Sequence, residues 1–263
     1  MYGFGSLEAK STKLFSYLPR DAPCQGLEGM LARYRQLAPH VTLSGGTSFA
    51  PAIQRACEVT VATSPPQYHI LLLLCDGQVS EECKADTLAA IQRACAFPLS
   101  IVCIGVGDGP WEDMEGFDDM TARDWDNFQF VPFEATMARA RRAAAAAGGA
   151  AAGVLEEHFA LAALMEIPAQ FREVRRRGLL SAAAGAAGAA ALAQRGRVAV
   201  LEPPRTPTPA TAPPRRAAAG SDADLAAALL QSLEGDGGGG GAGGGGGAGA
   251  GGGAGSGDPT ATL

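Results

Sequence analysis

Two residues are best placed for chemistry: Asp76, at the end of the run YHILLLLCDGQV, and Thr47, within SGGTSF. The apolar stretch 70–75 reads as a strand buried on both faces, as in parallel α/β sheets. It stops at Asp76-Gly77, which sets a carboxylate at a strand's carboxyl end, where open α/β sheets bind ligands. Taken alone, the same dipeptide is an ordinary Asp-Gly turn, and Thr47 is an ordinary helix N-cap. Gly105-x-Gly107-x-Gly109 follows a second apolar run. Its last glycine comes too early for the dinucleotide fingerprint, and no ribose-binding acid stands where one is required. No Ser/His/Asp or Cys/His arrangement can be built from the spacing, so no catalytic centre is expected in this chain.

The elements that must position these residues alternate in type. Short strands are expected over 2–5 and 14–18. Leu27, Met30, Leu31, Tyr34 and Leu37 recur at helical spacing, which predicts a helix over 26–38 ended by Pro39. A helix over 49–62 follows, with Pro51 in its first turn. Beyond Asp76 come a helix over 81–96, a buried strand over 99–106, a short acidic helix over 110–119 and a core strand over 128–133. Two Ala- and Arg-rich helices complete the series, the second over 154–177 with a kink at Pro168. Strand alternating with helix at this spacing means βαβ units and a mostly parallel sheet.

Composition divides the 263 residues unevenly. Residues 1–180 are mixed and domain-like. From Ser181 to Leu263 the chain is rich in Ala, Pro and Gly, and apart from an apolar patch at Leu225 to Leu233 it is expected to be a disordered tail. The formal charge of -6 argues against a nucleic-acid partner. No apolar run is long enough for membrane insertion, and MYGFGSLEAK is not a signal peptide. All six cysteines lie between Cys24 and Cys103 with no C-x-x-C pair, as suits core thiols of an intracellular protein, in cytoplasm or nucleus.

The segments SGGTSFAPAI, YHILLLLCDGQVS, FPLSIVCIGVGDGPWEDMEGFDD, DNFQFVPF and FALAALMEIPAQFREVRRRGLL run in the order of the copine-type von Willebrand A domain. The GDGPW segment and the last segment resemble the branch found in plant RING-domain ubiquitin ligases of the RGLG type. The resemblance implies a three-layer Rossmann-like α/β fold, with a mostly parallel sheet and helices on both faces. It also implies a metal-ion-dependent adhesion site at the top of the sheet, in which Thr47 and Asp76 match the family's threonine and aspartate ligands. The family's Asp-x-Ser-x-Ser loop and its first strand have no counterpart here. Mg²⁺ or Mn²⁺, which wants six oxygen ligands, would then be held weakly. With no cysteine after Cys103, no RING and no zinc site are expected. The partner implied is another protein, met through the top face of the sheet, and ubiquitination machinery is the family's context.

Overall fold

The computed structural model describes residues 1–43, 46–146 and 152–205. At its centre is β4 (Leu99–Gly105), buried along its whole length. It lies between β3 (His69–Cys75) and β5 (Phe128–Pro132), and both pairings are parallel. The register places Leu72 beside Val102, and Val102 beside Gln129. A second sheet joins β1 (Tyr2–Gly3), β2 (Leu14–Ser16) and β6 (Val200–Leu201). Its middle strand, β2, is antiparallel to β1 and parallel to β6. The expected single sheet is therefore two three-stranded sheets among the described residues.

The helices are α1 (Gly26–Leu37), α2 (Ala50–Ala62), α3 (Glu81–Ala94), α4 (Glu112–Asp118), α5 (Phe133–Ala146), α6 (Ala152–Leu164), α7 (Ile167–Arg176) and α8 (Ala182–Ala193). They interleave with the parallel strands, an α/β arrangement consistent with a Rossmann-like von Willebrand A fold. Period-two side-chain alternation decides which helices meet which face. Leu73, Cys75, Ile101, Cys103, Phe128 and Phe130 pack with Ile53 and Cys57 of α2, Ile91 of α3, and Met114 and Phe117 of α4. On the opposite face Val102, Ile104 and Val131 pack with Met137 of α5 and with Phe159 and Ala163 of α6.

Three expectations are corrected. The strand over 70–75 is buried on one face only: Ile70, Leu72 and Leu74 are 46%, 55% and 51% exposed. The reason is the layer above it. α5 and α6 pack over β4 and β5, and no described helix closes over these three side chains. Second, the single kinked helix over 154–177 is two helices, α6 and α7, broken at Met165-Glu166. Pro168 sits in the first turn of α7, where its missing N–H is not needed.

Third, the chain does not lose structure at Ser181. The Ser181 hydroxyl caps α8 by accepting the Ala184 N–H at 3.2 Å. Leu192, Val198 and Val200 pack against the main core. The Val198 N–H donates to Glu58 Oε1 at 2.7 Å, and Gln54 Nε2 donates to the Gly196 carbonyl at 2.9 Å. Gly188 is buried so tightly that a Cβ there would stand 2.9 Å from the Phe97 ring. Small residues, which bury little area themselves, here let the α8 backbone approach the core closely. Residues 206–263, with the Leu225 to Leu233 patch, lie outside the described residues.

Candidate functional site: the loops at the top of the sheet

At the carboxyl end of β3 the ladder runs one residue past the strand, with the Val106 N–H donating to the Cys75 carbonyl at 2.8 Å. Asp76 follows, exposed. Thr47 is half-buried on the loop that enters α2. Ser80 ties these two loops together. Its Oγ accepts the Thr47 N–H at 2.8 Å, and its own N–H donates to the Thr47 carbonyl at 3.0 Å. Ser80 is the N-cap residue of α3, yet its hydroxyl makes no capping bond because it is spent on this clasp. Thr47 does not cap α2 with its side chain. The bond nearest to a cap comes from Ser48, whose Oγ accepts the Ala50 N–H at 3.3 Å.

A third loop joins the other two. Gln78 Nε2 donates to Glu112 Oε2 at 2.8 Å, and Lys84 Nζ lies 3.0 Å from Asp113 Oδ1 while also pairing with Glu81. Those two carboxylates hold the Lys84 pKa above its ordinary value. The glycines of this loop have structural tasks. A Cβ on Gly105 would stand 2.9 Å from both Trp111 and Phe130, whose rings pack 5.6 Å apart. Gly107 and Gly109 take φ values of 103° and 87°, which L side chains rarely adopt. The Gly-x-Gly-x-Gly run thus seats Trp111 and turns the chain. Ser80, Gln78 and Trp111 were not singled out from the sequence. Pairing between loops distant in the chain leaves no local spacing signal.

The structure clasps the Thr47 loop to the loop after Asp76, but among the described residues no hydrogen bond joins Thr47 to Asp76. No three His, Cys, Asp or Glu side chains converge on a cation position among the described residues. The neighbouring acids are committed elsewhere, Glu112 to Gln78 and Asp113 to Lys84. Thr47 and Asp76 offer two oxygen donors, against the six that Mg²⁺ favours. What the three loops do form is a polar surface braced by these bonds.

Other reactive groups lie inside the domain. Cys75 and Cys103 meet at 3.6 Å between Sγ atoms on neighbouring strands. The hydrogen bond shared with Cys75, then burial, raises the Cys103 thiol well above its ordinary value, so it stays an unreactive thiol. Burial pushes the Asp118 carboxyl up to about 7, and the nearby Glu166 charge adds to that. A cavity of about 280 Å³ between α2, α3 and α8 has Ile53, Cys57 and Phe97 in its lining and Arg93 and Arg195 among its polar groups. Burial lowers the Arg93 pKa, and the Arg195 charge lowers it further. No helix among the described residues is long and apolar enough to cross a membrane.

Comparison with known proteins agrees with this architecture. Residues 1–183 match the copine family. The chain is 44% identical over 199 residues to the E3 ubiquitin-protein ligase RGLG5 of Arabidopsis thaliana, an overlap of 70% of this chain and 43% of that protein. It is 42% identical over 182 residues to RGLG3 of the same plant, covering 65% and 47%. To Copine family protein 2 of Caenorhabditis elegans it is 40% identical over 183 residues, covering 68% of this chain and 2% of the relative. The chain therefore spans less than half the length of the ligases it matches. Through residues 1–183, which hold the three clasped loops and both parallel pairings of β4, the chain belongs to the copine family.

Proposed function

We propose that this copine domain is a protein-recruiting module that works in ubiquitination, the activity for which its plant relatives are named. The observation that carries the reading is the 42–44% identity to RGLG-type ligases across the copine region. The match covers 43% and 47% of those proteins, so ubiquitin transfer is not assigned to the domain itself. Its part is to hold another protein at the top of the sheet. Thr47, Asp76, Gln78 and Glu112 present polar groups there, and the Ser80 clasp keeps their loops in register. Contact there is direct, with any divalent cation held only weakly, because the donor set falls short.

The test uses the full chain as bait in a plant extract, beside a top-face variant carrying Asp76→Lys and Glu112→Lys. The expected result is ubiquitin-conjugating or substrate proteins recovered by the parent and lost with the variant. Recovery unchanged by the variant would remove the top face from the reading. Recovery of partners with no tie to ubiquitination would favour a recruiting domain of a different system.

A further inference from the structure

The edge of β3 that faces away from β4 is unpaired among the described residues. In a parallel ladder each residue turns its N–H and C=O to the same side, and that side alternates along the strand. Two bonds fix the phase here. The His69 N–H donates to the Pro98 carbonyl at 2.9 Å, and the Val106 N–H donates to the Cys75 carbonyl at 2.8 Å. With His69 beside Leu99 and Cys75 beside Gly105, the residues that face β4 are His69, Leu71, Leu73 and Cys75. Ile70, Leu72 and Leu74 therefore turn their N–H and C=O groups to the side where no described strand pairs with β3. The same three residues carry the half-exposed side chains. One row thus presents unpaired main-chain groups together with bare aliphatic side chains. No proline, lysine or bulge blunts it, because the strand reads HILLLLC and its register with β4 is unbroken.

We propose that this edge is a docking site for an extended segment of another protein, which adds to β3 as a further strand. Spacing selects the occupant. The open donors and acceptors recur every two residues, about 6.6 Å apart in a straight row. An extended backbone matches that repeat, whereas a helix bonds its main-chain groups internally. Alternate side chains of the added strand then lie beside Ile70, Leu72 and Leu74, where β-branched and aliphatic residues pack best. Three half-exposed side chains offer far less than the roughly 800 Å² per partner that a stable complex of folded surfaces buries. The edge therefore suits a short segment better than a second folded copy of this chain.

Charge at the two ends of the row narrows the chemistry. Tyr68, just before β3, packs on Phe171 of α7 with ring centroids 5.2 Å apart. Arg175 follows Phe171 by one turn of that helix and is exposed, as is Arg172. At the other end of β3 Asp76 is exposed. The segment that fits is aliphatic in its middle, acidic where it meets α7 and basic beside Asp76. The main-chain contact runs along the side of the sheet and uses neither the Ser80 clasp nor Glu112. It gives the domain a second way to hold a protein, independent of the braced loops.

The test titrates two probe peptides, acetyl-EEVTVIVK-amide and the reversed acetyl-KVIVTVEE-amide, into the full chain. Binding is read by fluorescence anisotropy and by residue-resolved amide hydrogen exchange. In the free chain the amides of Leu71, Leu73 and Cys75 are expected to exchange slowly, and those of Ile70, Leu72 and Leu74 fast. The peptide that runs in the preferred direction is expected to slow the second set about tenfold or more. Leu72→Glu, which alters only an exposed position, is expected to weaken that peptide about fivefold or more. Arg175→Glu is expected to weaken it about threefold, and methylating the peptide's alternate amide nitrogens to abolish binding. No slowing with either peptide at millimolar concentration would overturn the proposal, as would binding that Leu72→Glu leaves unchanged. Slow exchange at Ile70, Leu72 and Leu74 in the free chain would also overturn it, because the edge would already be filled. Slowing that grows with chain concentration would assign the filling to a second copy.

Discussion

β3 and β4 lie side by side, parallel, seven residues each and strongly apolar, yet β4 is buried throughout and β3 exposes every second residue through most of its length. Nothing in HILLLLC warns of this, because leucine stands at both inward and outward positions. Burial of a strand's second face depends on the layer above it. Over β4 that layer is α5 and α6, whereas over β3 no described helix stands. An apolar run thus shows what a strand can bury, and the helices decide what it does bury. A strand written for two covered faces but covered on one is a site for a further element.

The largest effect that tests this difference is a charge placed at matching positions. Val102→Glu puts an unpaired carboxylate under α5 and α6 and is expected to cost about 4 kcal/mol or more, enough to abolish cooperative folding. Leu72→Glu, its neighbour in register, meets water. It is expected to cost about 1 kcal/mol or less. Urea unfolding of both variants measures the contrast, and equal losses would mean that the open face is closed by a firmly held element.

A second contrast lies within the Ala-, Pro- and Gly-rich segment. Truncation after Leu180 removes α8 and β6, and with them Leu192, Val198, Val200 and the bond from the Val198 N–H to Glu58. The expected loss is about 2 kcal/mol, or roughly 4–8 °C in Tm. Truncation after Arg205 is expected to leave Tm within about 2 °C. Calorimetric scans of the two truncations against the full chain settle the pair, and an unchanged Tm in the shorter one would show that α8 and β6 add nothing.

Sequence patterning showed the order and type of elements from the first strand to α5 well, because each is written in local periodicity. Leu27, Met30, Leu31, Tyr34 and Leu37 do lie on one helix, and the strands over 99–106 and 128–133 differ from β4 and β5 only at their ends. Thr47 and Asp76 were singled out by matching a family pattern, and they lie on the loops that enter α2 and leave β3. The clasp between those loops was not legible, since Ser80 and Glu112 have no special spacing to Thr47 or Gln78. α8 was missed because AAAGAAGAAALA has no amphipathic face. Its packing rests on Gly188 fitting against Phe97, a property of shape that composition hides.

The closed side of the sheet also shifts a carboxyl. Burial raises Asp118 to about 7, with Glu166 and Asp126 adding to the shift and the Phe130 backbone N–H opposing it. Between about pH 4 and pH 7 the folded chain keeps a proton that the unfolded chain releases. Stability therefore falls as pH rises through that window and levels off above about 7. Allowing for solvent screening, the amount is about 1 kcal/mol. Asp118→Asn is expected to raise stability at pH 7.5 by about that much and to flatten the slope. Denaturant midpoints at pH 5 and 7.5 measure both, and a slope unchanged by the substitution would assign it to another group.

The smallest expected effect is on the open side, at Asp76. Its carboxylate is exposed, Thr47 is the one other residue of this sequence matched to a ligand of the family pattern, and Ser80 is committed to the Thr47 backbone. Mg²⁺ holds most of its six waters against such a partner set, so binding is expected only around the millimolar range. Asp76→Ala should then change neither the heat of Mg²⁺ titration nor the unfolding midpoint by more than about 0.5 kcal/mol. A calorimetric titration giving micromolar affinity, abolished by Asp76→Ala, would break the contrast from the other side. It would mean that the loop carrying Asp108, Glu112 and Asp113 rearranges to give up its bonds to Gln78 and Lys84 and supplies the missing oxygens. The top face would then recruit its partner through a metal ion, and partner capture would become sensitive to chelator, a dependence that direct contact does not have.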